Sequence, residues 1–363
     1  MADTRVVPVG NVKYGLKAET TFGDSLDSSG ADGTAYLTQP VLQAQKPTFN
    51  ILRESRLLSG RGLMKHKSDT IVNTKGGTVT MPFDMIATPR TLGQHLLLVG
   101  QNPSTSGSTI HIQTFTGDGN PASIGEAISG DGIPHSCNLA WYPAASEGIR
   151  VTGVVCSDLT ISGDVSANNG LVTMSGNYFS GFGNPASGTS AYSSIEVDHT
   201  IANWAAVETT YFNILDMATR TLDSDDNATQ TFILKSFNLN IANGVNRFGF
   251  DSNGDAEGYS FSEYVITGDL TIKYDNEFNY QAGENVLQDF LDGDTLTLNM
   301  IIGDGTHSSE GEMEITAEIQ YAGDPGLDMG EGGLYHTLPF ECVDDGTFGL
   351  KTEVFKNEAV TAW

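Results

Sequence analysis

The run with the most definite chemistry in this 363-residue chain is Asp251-Ser252-Asn253-Gly254-Asp255-Ala256-Glu257-Gly258. Oxygen-bearing side chains at its first, third and fifth positions are the donors that a calcium-binding loop uses. Its sixth position, however, holds Ala256 instead of glycine. Its twelfth holds Ser262 instead of a bidentate glutamate, with Glu263 one place late. A solvated acidic turn between two strands is the better reading, and no metal or cofactor is assigned. Asp223-Ser224-Asp225-Asp226 is read the same way, as a charged loop. Gly117-Asp118-Gly119, Gly130-Asp131-Gly132 and Gly303-Asp304-Gly305 lack the lysine of a phosphate loop. They place a carboxylate where phosphate would be repelled, so they are turn chemistry. His66, His95, His111, His135, His199, His307 and His336 show no ligand spacing, and His95 is expected as a partly buried surface residue of a helix. Cys137, Cys156 and Cys342 are too scattered for a disulfide framework or a zinc site and fit small buried hydrophobes. No nucleophile motif such as Gly-x-Ser-x-Gly singles out a serine, so no catalytic residue is assigned. Asn227-Ala228-Thr229 fits a glycosylation acceptor by composition alone.

The positively charged side chains are concentrated instead in one region. The net charge is −27, yet residues 1–90 hold 11 Lys and Arg against 8 Asp and Glu. Residues 46–75 carry Lys46, Arg53, Arg56, Arg61, Lys65, Lys67 and Lys75 against only Glu54 and Asp69. A body this acidic repels nucleic acid. The basic stretch lacks the interleaved aromatics that stack on bases. Arg53, Arg56, Arg61, Lys65 and Lys67 are therefore read as the complement to an acidic surface on another copy of the same chain. No stretch is apolar for long enough to cross a bilayer as a helix. Met1-Ala2-Asp3-Thr4-Arg5 lacks the apolar core of a secretory signal, so synthesis and retention in the cytoplasm until assembly are expected.

The elements that would position these groups are mostly strands. Residues 1–45, punctuated by Pro8, Gly10, Gly15, Gly23, Gly30, Gly33 and Pro40, read as an extended arm with no regular element. A strand at 47–52 precedes a long basic loop, 53–77. Alternation of Val79, Met81 and Phe83 marks a strand over 78–84. Thr88-Pro89 then supplies a helix cap and first position, Leu92, Leu96 and Val99 form one apolar stripe, and Gly100 ends the helix. Strands follow at 109–115, 135–142, 149–162 and 170–179. Residues 184–206 form a connector; a helical pattern from Ile201 to Leu215 is left open. Further strands fall at 229–241, 258–275, 294–302, 312–321, 334–343 and 347–355, with a short helix closing at Gly293. The fold class is all-β with short helices.

The plan appears twice. Glu19-Thr20-Thr21-Phe22 is echoed by Glu208-Thr209-Thr210-Tyr211, and Thr48-Phe49-Asn50-Ile51 by Ser236-Phe237-Asn238-Leu239. Thr80–Asp84 is echoed by Thr271–Asp275, the helix closing at Gly100 by that closing at Gly293, and Thr109–Ile112 by Thr295–Leu298. Five landmarks in one order, at offsets from 186 to 193, indicate a duplicated β domain. The expected domains are 1–183, with arm and basic loop, and 207–363.

Several of these segments resemble the major tail tube proteins of long-tailed, siphovirus-type bacteriophages. Tyr14-Gly15-Leu16-Lys17-Ala18-Glu19-Thr20-Thr21-Phe22-Gly23 is similar to the family's N-terminal arm, and Thr78–Asp84 with the helix to Gly100 resembles its strand-then-helix unit. Gly153–Ser162 with Gly176–Gly181 resembles its closing hairpin, and Leu338-Pro339-Phe340-Glu341-Cys342 has the same character. The resemblance implies two tandem tail-tube-like β-sandwich or barrel domains. Its further implication is a virion protein that stacks in rings around an inner β-barrel wall through which DNA passes without specific binding. Partners would be further copies of the chain, the tape measure protein and other tail proteins, with no membrane. Two fused tube domains would make each ring a homotrimer with pseudo-sixfold symmetry; a homohexamer is the alternative. Rival readings are an acidic β-rich surface adhesin, a calcium-stabilised binding module, a polysaccharide hydrolase with unplaced carboxylates, or another tail or capsid component.

Overall fold

The computed structural model describes residues 12–19, 36–43, 45–55, 70–106, 111–117, 135–144, 147–181, 195–199, 204–224, 229–249, 258–260, 264–274, 286–306, 311–328, 333–344 and 349–356. The first half comprises β1 (Lys13–Ala18), β2 (Leu37–Thr38), β3 (Thr48–Ser55), β4 (Thr70–Ile86), α1 (Pro89–Leu98), β5 (Asn102–Ser106), β6 (His111–Gly117), β7 (Cys137–Ala144), β8 (Glu147–Asp164) and β9 (Thr173–Ser180). A short strand, β10 (Ile195–His199), lies in the connector. The second half comprises β11 (Met217–Ser224), β12 (Gln230–Thr231), β13 (Leu234–Ala242), β14 (Asn246–Phe248), β15 (Gly258–Ser260), β16 (Val265–Lys273), α2 (Val286–Asp292), β17 (Leu296–Ile302), β18 (Glu312–Tyr321), β19 (Gly326–Asp328), β20 (Tyr335–Cys342) and β21 (Leu350–Lys356).

Both halves thread their strands in one order. The first runs β3–β4–β9–β8–β7–β1–β2, antiparallel throughout. The second runs β13–β16–β20–β18–β17–β11–β12. Beyond the reach of β9, β8 is continued by β10 over Gly148–Val151; beyond β20, β18 is continued by β21 over Glu312–Ala317. Even the register repeats, because Thr48 faces Thr80 as Ser236 faces Thr271. Gly100 and Gly293 both take positive φ, the left-handed conformation that ends a helix cheaply only with glycine. The second, third and fourth sequence landmarks thus mark topologically matching positions.

The other two landmarks do not. Leu296–Ile302 lies between β11 and β18, whereas His111–Gly117 lies between β5 and β21. The strand that matches β17 in the first ladder is β7, so the β5–β6 hairpin has no counterpart in the second. Glu19 follows β1 while Glu208 precedes β11, so that echo is one of sequence alone. The arm also holds more order than its glycines suggest, since β1 pairs along its whole length with β7. Within the segment 53–77, expected as a loop, the described residues are strand: Arg53–Ser55 pair with Thr70–Val72, and residues 56–69 lie outside the described residues.

Burial follows the alternation expected of half-buried strands. On β17, Leu296, Leu298, Met300 and Ile302 turn inward, and on β13 Phe237, Leu239 and Ile241 do. One contiguous core spans both halves, from Tyr14 and Leu16 to Leu350 and Val354. Among the described residues, the ladder branches at β8 and β18 and does not close into a barrel within one chain.

Candidate functional site

With chemistry sparse, the informative geometry is the seam where the halves meet. There β13 lies antiparallel to the distal part of β8, from Ser236 opposite Asp164 to Ala242 opposite Asp158. Phe237, almost wholly buried, lies over Gly163, where a β-carbon would come within 2.7 Å of its ring. Glycine is needed at 163 because the two strands approach this closely. Thr160 donates from Oγ1 to Asn240 Oδ1 across the pair (3.0 Å).

Asn243 closes the seam. It continues the inward series 237, 239, 241, and its side chain is fully buried. Its Nδ2 donates to the carbonyls of Val99 (3.1 Å) and Cys156 (2.8 Å), and its Oδ1 accepts from the Val245 amide (3.1 Å). Val99 is the C-cap of α1, so its carbonyl has no acceptor role inside the helix. Cys156 stands at a bulge in the β8–β9 pairing. One amide therefore ties helix, bulge and second half together. An asparagine at an inward position of an alternating strand was the available sign, because a buried amide must find partners.

Helix α1 is buried on nearly every side, packed against its own β8 and against β6 and β21. Thr88 caps it, accepting from the Thr91 amide while the Thr91 hydroxyl takes the Thr88 amide. The Glu208 carboxylate accepts from the Arg90 amide (3.0 Å), where the helix dipole favours negative charge. The segment carrying Glu208 is extended, not helical. Ala205 donates to the Tyr36 carbonyl, Trp204 lies over Gly15, and Val172 donates to the Phe212 carbonyl. This strap holds the connector against the first half.

His95 is fully buried, contrary to the surface position expected for it. Its Nδ1 donates to the Thr91 carbonyl (2.6 Å), so in the neutral ring Nε2 accepts from the Tyr178 hydroxyl (2.6 Å). Burial pulls its pKa down to about 4, against the opposing pull of the Thr91 carbonyl, and pushes the Tyr178 phenol well up. A single Leu92–Leu96–Val99 stripe gives no sign that the opposite face is covered as well. Glu19 is buried too, accepting from Ser136 Oγ (2.5 Å), the Gly153 amide (2.7 Å) and Asn138 Nδ2 (3.0 Å). Cys137 and Cys156 are buried free thiols and Cys342 is half-buried; burial pushes the thiols of all three up, opposing nucleophilic reactivity.

Of the five basic residues assigned to assembly, Arg53 lies on β3, and Arg56, Arg61, Lys65 and Lys67 lie outside the described residues. So do Asp251–Glu257, Asp118, Gly119 and the 130–132 triplet. Gly303-Asp304-Gly305 is described, and it is a turn: both glycines have positive φ, and Asp304 Oδ1 accepts from the amide and hydroxyl of Thr306. No helix among the described residues is long and apolar enough to cross a membrane, which says nothing of membrane β-barrels.

The geometry is that of a β scaffold with extended edges and a strong internal seam. A family model described as phage tail tube protein matches residues 10–342. No curated protein matches the chain. Among solved structures, "Hybrid structure of the SPP1 tail tube by solid-state NMR and cryo EM" aligns at 13% identity, covering 41% of this chain and 81% of that one, with a TM-score of 0.27. The family match spans most of the sequence, and the chain belongs to the phage tail tube protein family, as a structural component of the tail.

Proposed function

We propose that the chain polymerises into stacked rings that form the tail tube of a long-tailed phage, the conduit for DNA ejection. In this reading it has no enzymatic role and is made in the host cytoplasm. It assembles with further copies of itself, on a tape measure protein and with other tail proteins, into the virion. What carries the reading, beside family membership, is the repeated strand order of the two halves. Residues 1–183 and 207–363 would each be one tube domain, so three chains supply six units and the inner barrel closes with pseudo-sixfold symmetry. The acidic surplus of residues 91–363 would keep DNA from adhering in transit.

Electron microscopy of the purified chain is expected to show tubes of even width, and reconstruction without imposed symmetry should find three chains per layer. Six chains per layer would refute the trimer, and monodisperse monomers under all conditions would refute the tube.

The basic segment from Arg53 to Lys67 is assigned to the contact between rings, with Arg53, Arg56, Arg61, Lys65 and Lys67 facing acidic surface on the next layer. A single exposed pair contributes only ~0.2–1 kcal/mol, but the contact recurs around each ring. The triple substitution Arg56→Glu, Arg61→Glu, Lys65→Glu should abolish tube growth with the thermal midpoint of the free chain unchanged. Normal polymerisation by this variant assigns the basic segment another role.

A further inference from the structure

One side of the β1–β7 pair carries groups that a packed sheet does not need. Lys17 lies directly opposite Asn138, and Glu19, whose amide continues the pairing to the Ser136 carbonyl, follows two residues on. Alternation therefore puts Lys17, Glu19 and Asn138 on the same side. All three are buried, at 6%, 5% and 0% exposure. Tyr14 and Leu16 face the main core on the other side, while Tyr36, Ala140, Tyr142 and Trp204 make a separate apolar cluster. The Lys17 Nζ lies 6.0 Å from the centre of the Tyr36 ring in that cluster.

Glu19 sits on the amide nitrogen of Asn138. Its Oε1 accepts from Asn138 Nδ2 (3.0 Å) and from the Gly153 amide (2.7 Å), and its Oε2 from Ser136 Oγ (2.5 Å). The β7–β8 register shifts between Cys137 and Leu139, and Gly153 takes positive φ, so a bulge turns that amide to the carboxylate. Directly opposite residues hold their β-carbons about 4.5–5.5 Å apart, within the span of a lysine side chain. A buried amine beside a carboxamide, with a carboxylate on the nitrogen that would leave, is the set that acyl transfer needs: nucleophile, electrophile and proton carrier. Enclosure in one folded chain supplies the orientation.

We propose that the folded chain joins Lys17 to Asn138 by an isopeptide bond, with Glu19 as the catalytic residue. The Lys17 ammonium gives one proton to the Glu19 carboxylate, and the free amine attacks Asn138 Cγ, forming the new C–N bond. Glu19 passes that proton to Nδ2, and the Cγ–Nδ2 bond breaks to release ammonia. The ammonia takes up the surplus proton of the new amide and leaves as ammonium, while Glu19 returns to a carboxylate. Nothing is oxidised or reduced, and no cofactor enters. Among the described residues, β1 pairs besides only with β2, over Gly15 and Leu16, so the bond fastens an N-terminal strand to the body of the first half. It lies within one chain and does not depend on the tube reading.

Mass spectrometry of the folded, full-length chain tests this. The intact mass should fall short of the sequence mass by one ammonia, and proteolysis should yield one branched peptide holding both Lys17 and Asn138. Lys17→Arg and Glu19→Gln should each keep the full mass and give two separate peptides; glutamine still accepts hydrogen bonds but carries no proton across. Full mass in the unsubstituted chain overturns the bond. So does an ammonia loss confined to a single unbranched peptide, which is cyclisation of one asparagine. A branched peptide that forms normally in Glu19→Gln overturns the role of Glu19. If glutamine prevents folding, Glu19→Asp sets the carboxylate further back and should slow bond formation after refolding on the order of 100-fold. An unchanged rate there removes Glu19 from the reaction.

Discussion

Replacing Asn243 with alanine should destabilise the chain by about 3 kcal/mol or more, since each buried group left unpartnered costs ~1–3 kcal/mol. The substitution strands the Val99 and Cys156 carbonyls and the Val245 amide together. Asn243→Asp should be worse, because an acceptor-only carboxylate would face two carbonyl oxygens in a buried site. Urea titration of the free chain measures both. A ranking with aspartate harmless and alanine costly would mean that the amide does not donate to those carbonyls. The loss should separate the halves first, since the same side chain fastens α1 to β13. Proteolysis in sub-denaturing urea should therefore cut the connector before either half.

Acid should weaken the fold through His95. Its pKa is about 4 when folded against 6.5 for the free side chain, so between those values the unfolded chain binds the extra proton. The stabilising contribution is complete above pH 6.5, declines as pH falls, and is exhausted below about 4. The difference amounts to roughly 3 kcal/mol at 1.36 kcal/mol per pH unit. Carboxylates titrate over part of the same range in so acidic a chain, so the comparison is with His95→Gln, which keeps an acceptor for Tyr178. The variant should be less stable at pH 7, and its deficit should shrink steadily towards pH 4. A deficit constant across that range would show that the folded and unfolded chains protonate His95 alike.

What was legible in the sequence was local. Thr48-Phe49-Asn50 and Ser236-Phe237-Asn238 match in sequence, and the structure gives them equal registers against Thr80 and Thr271. Gly100 and Gly293 were matched as helix ends, and both adopt the conformation that explains why glycine stands there. What escaped was nearly all partnership at a distance. Alternation along a strand says which side chains face inward but not which strand lies alongside. Thus Thr109–Ile112 matches Thr295–Leu298 on pattern, although β6 and β17, which begin in these segments, occupy different places in the ladder. Lys13–Ala18 showed no alternation because Tyr14, Gly15, Leu16 and Lys17 are all buried, and its glycine suggested an irregular arm. For α1, the neglected face carries Thr91, Gln94 and His95, polar residues that read as outward although all three are buried. The basic residues were visible as charge, but the length of the β3–β4 hairpin was not, since Lys75 and Gly76-Gly77 do not advertise a strand.

The pairing of β21 with β6 has a consequence for the order of events on the ribosome. Residues 350–356 are hydrogen-bonded to residues 111–117, so a strand made early waits for one of the last to be made. Until β21 emerges, the edges of β6 and β18 and the flank of α1 lie open on a nascent chain. Contacts this remote in sequence form slowly, because a long loop must close before any of them is rewarded. A truncated product would therefore carry sticky edges that the finished chain hides. Completion of synthesis acts as a quality check: only a chain translated through Lys356 presents the correct edges, and no others, to its neighbours.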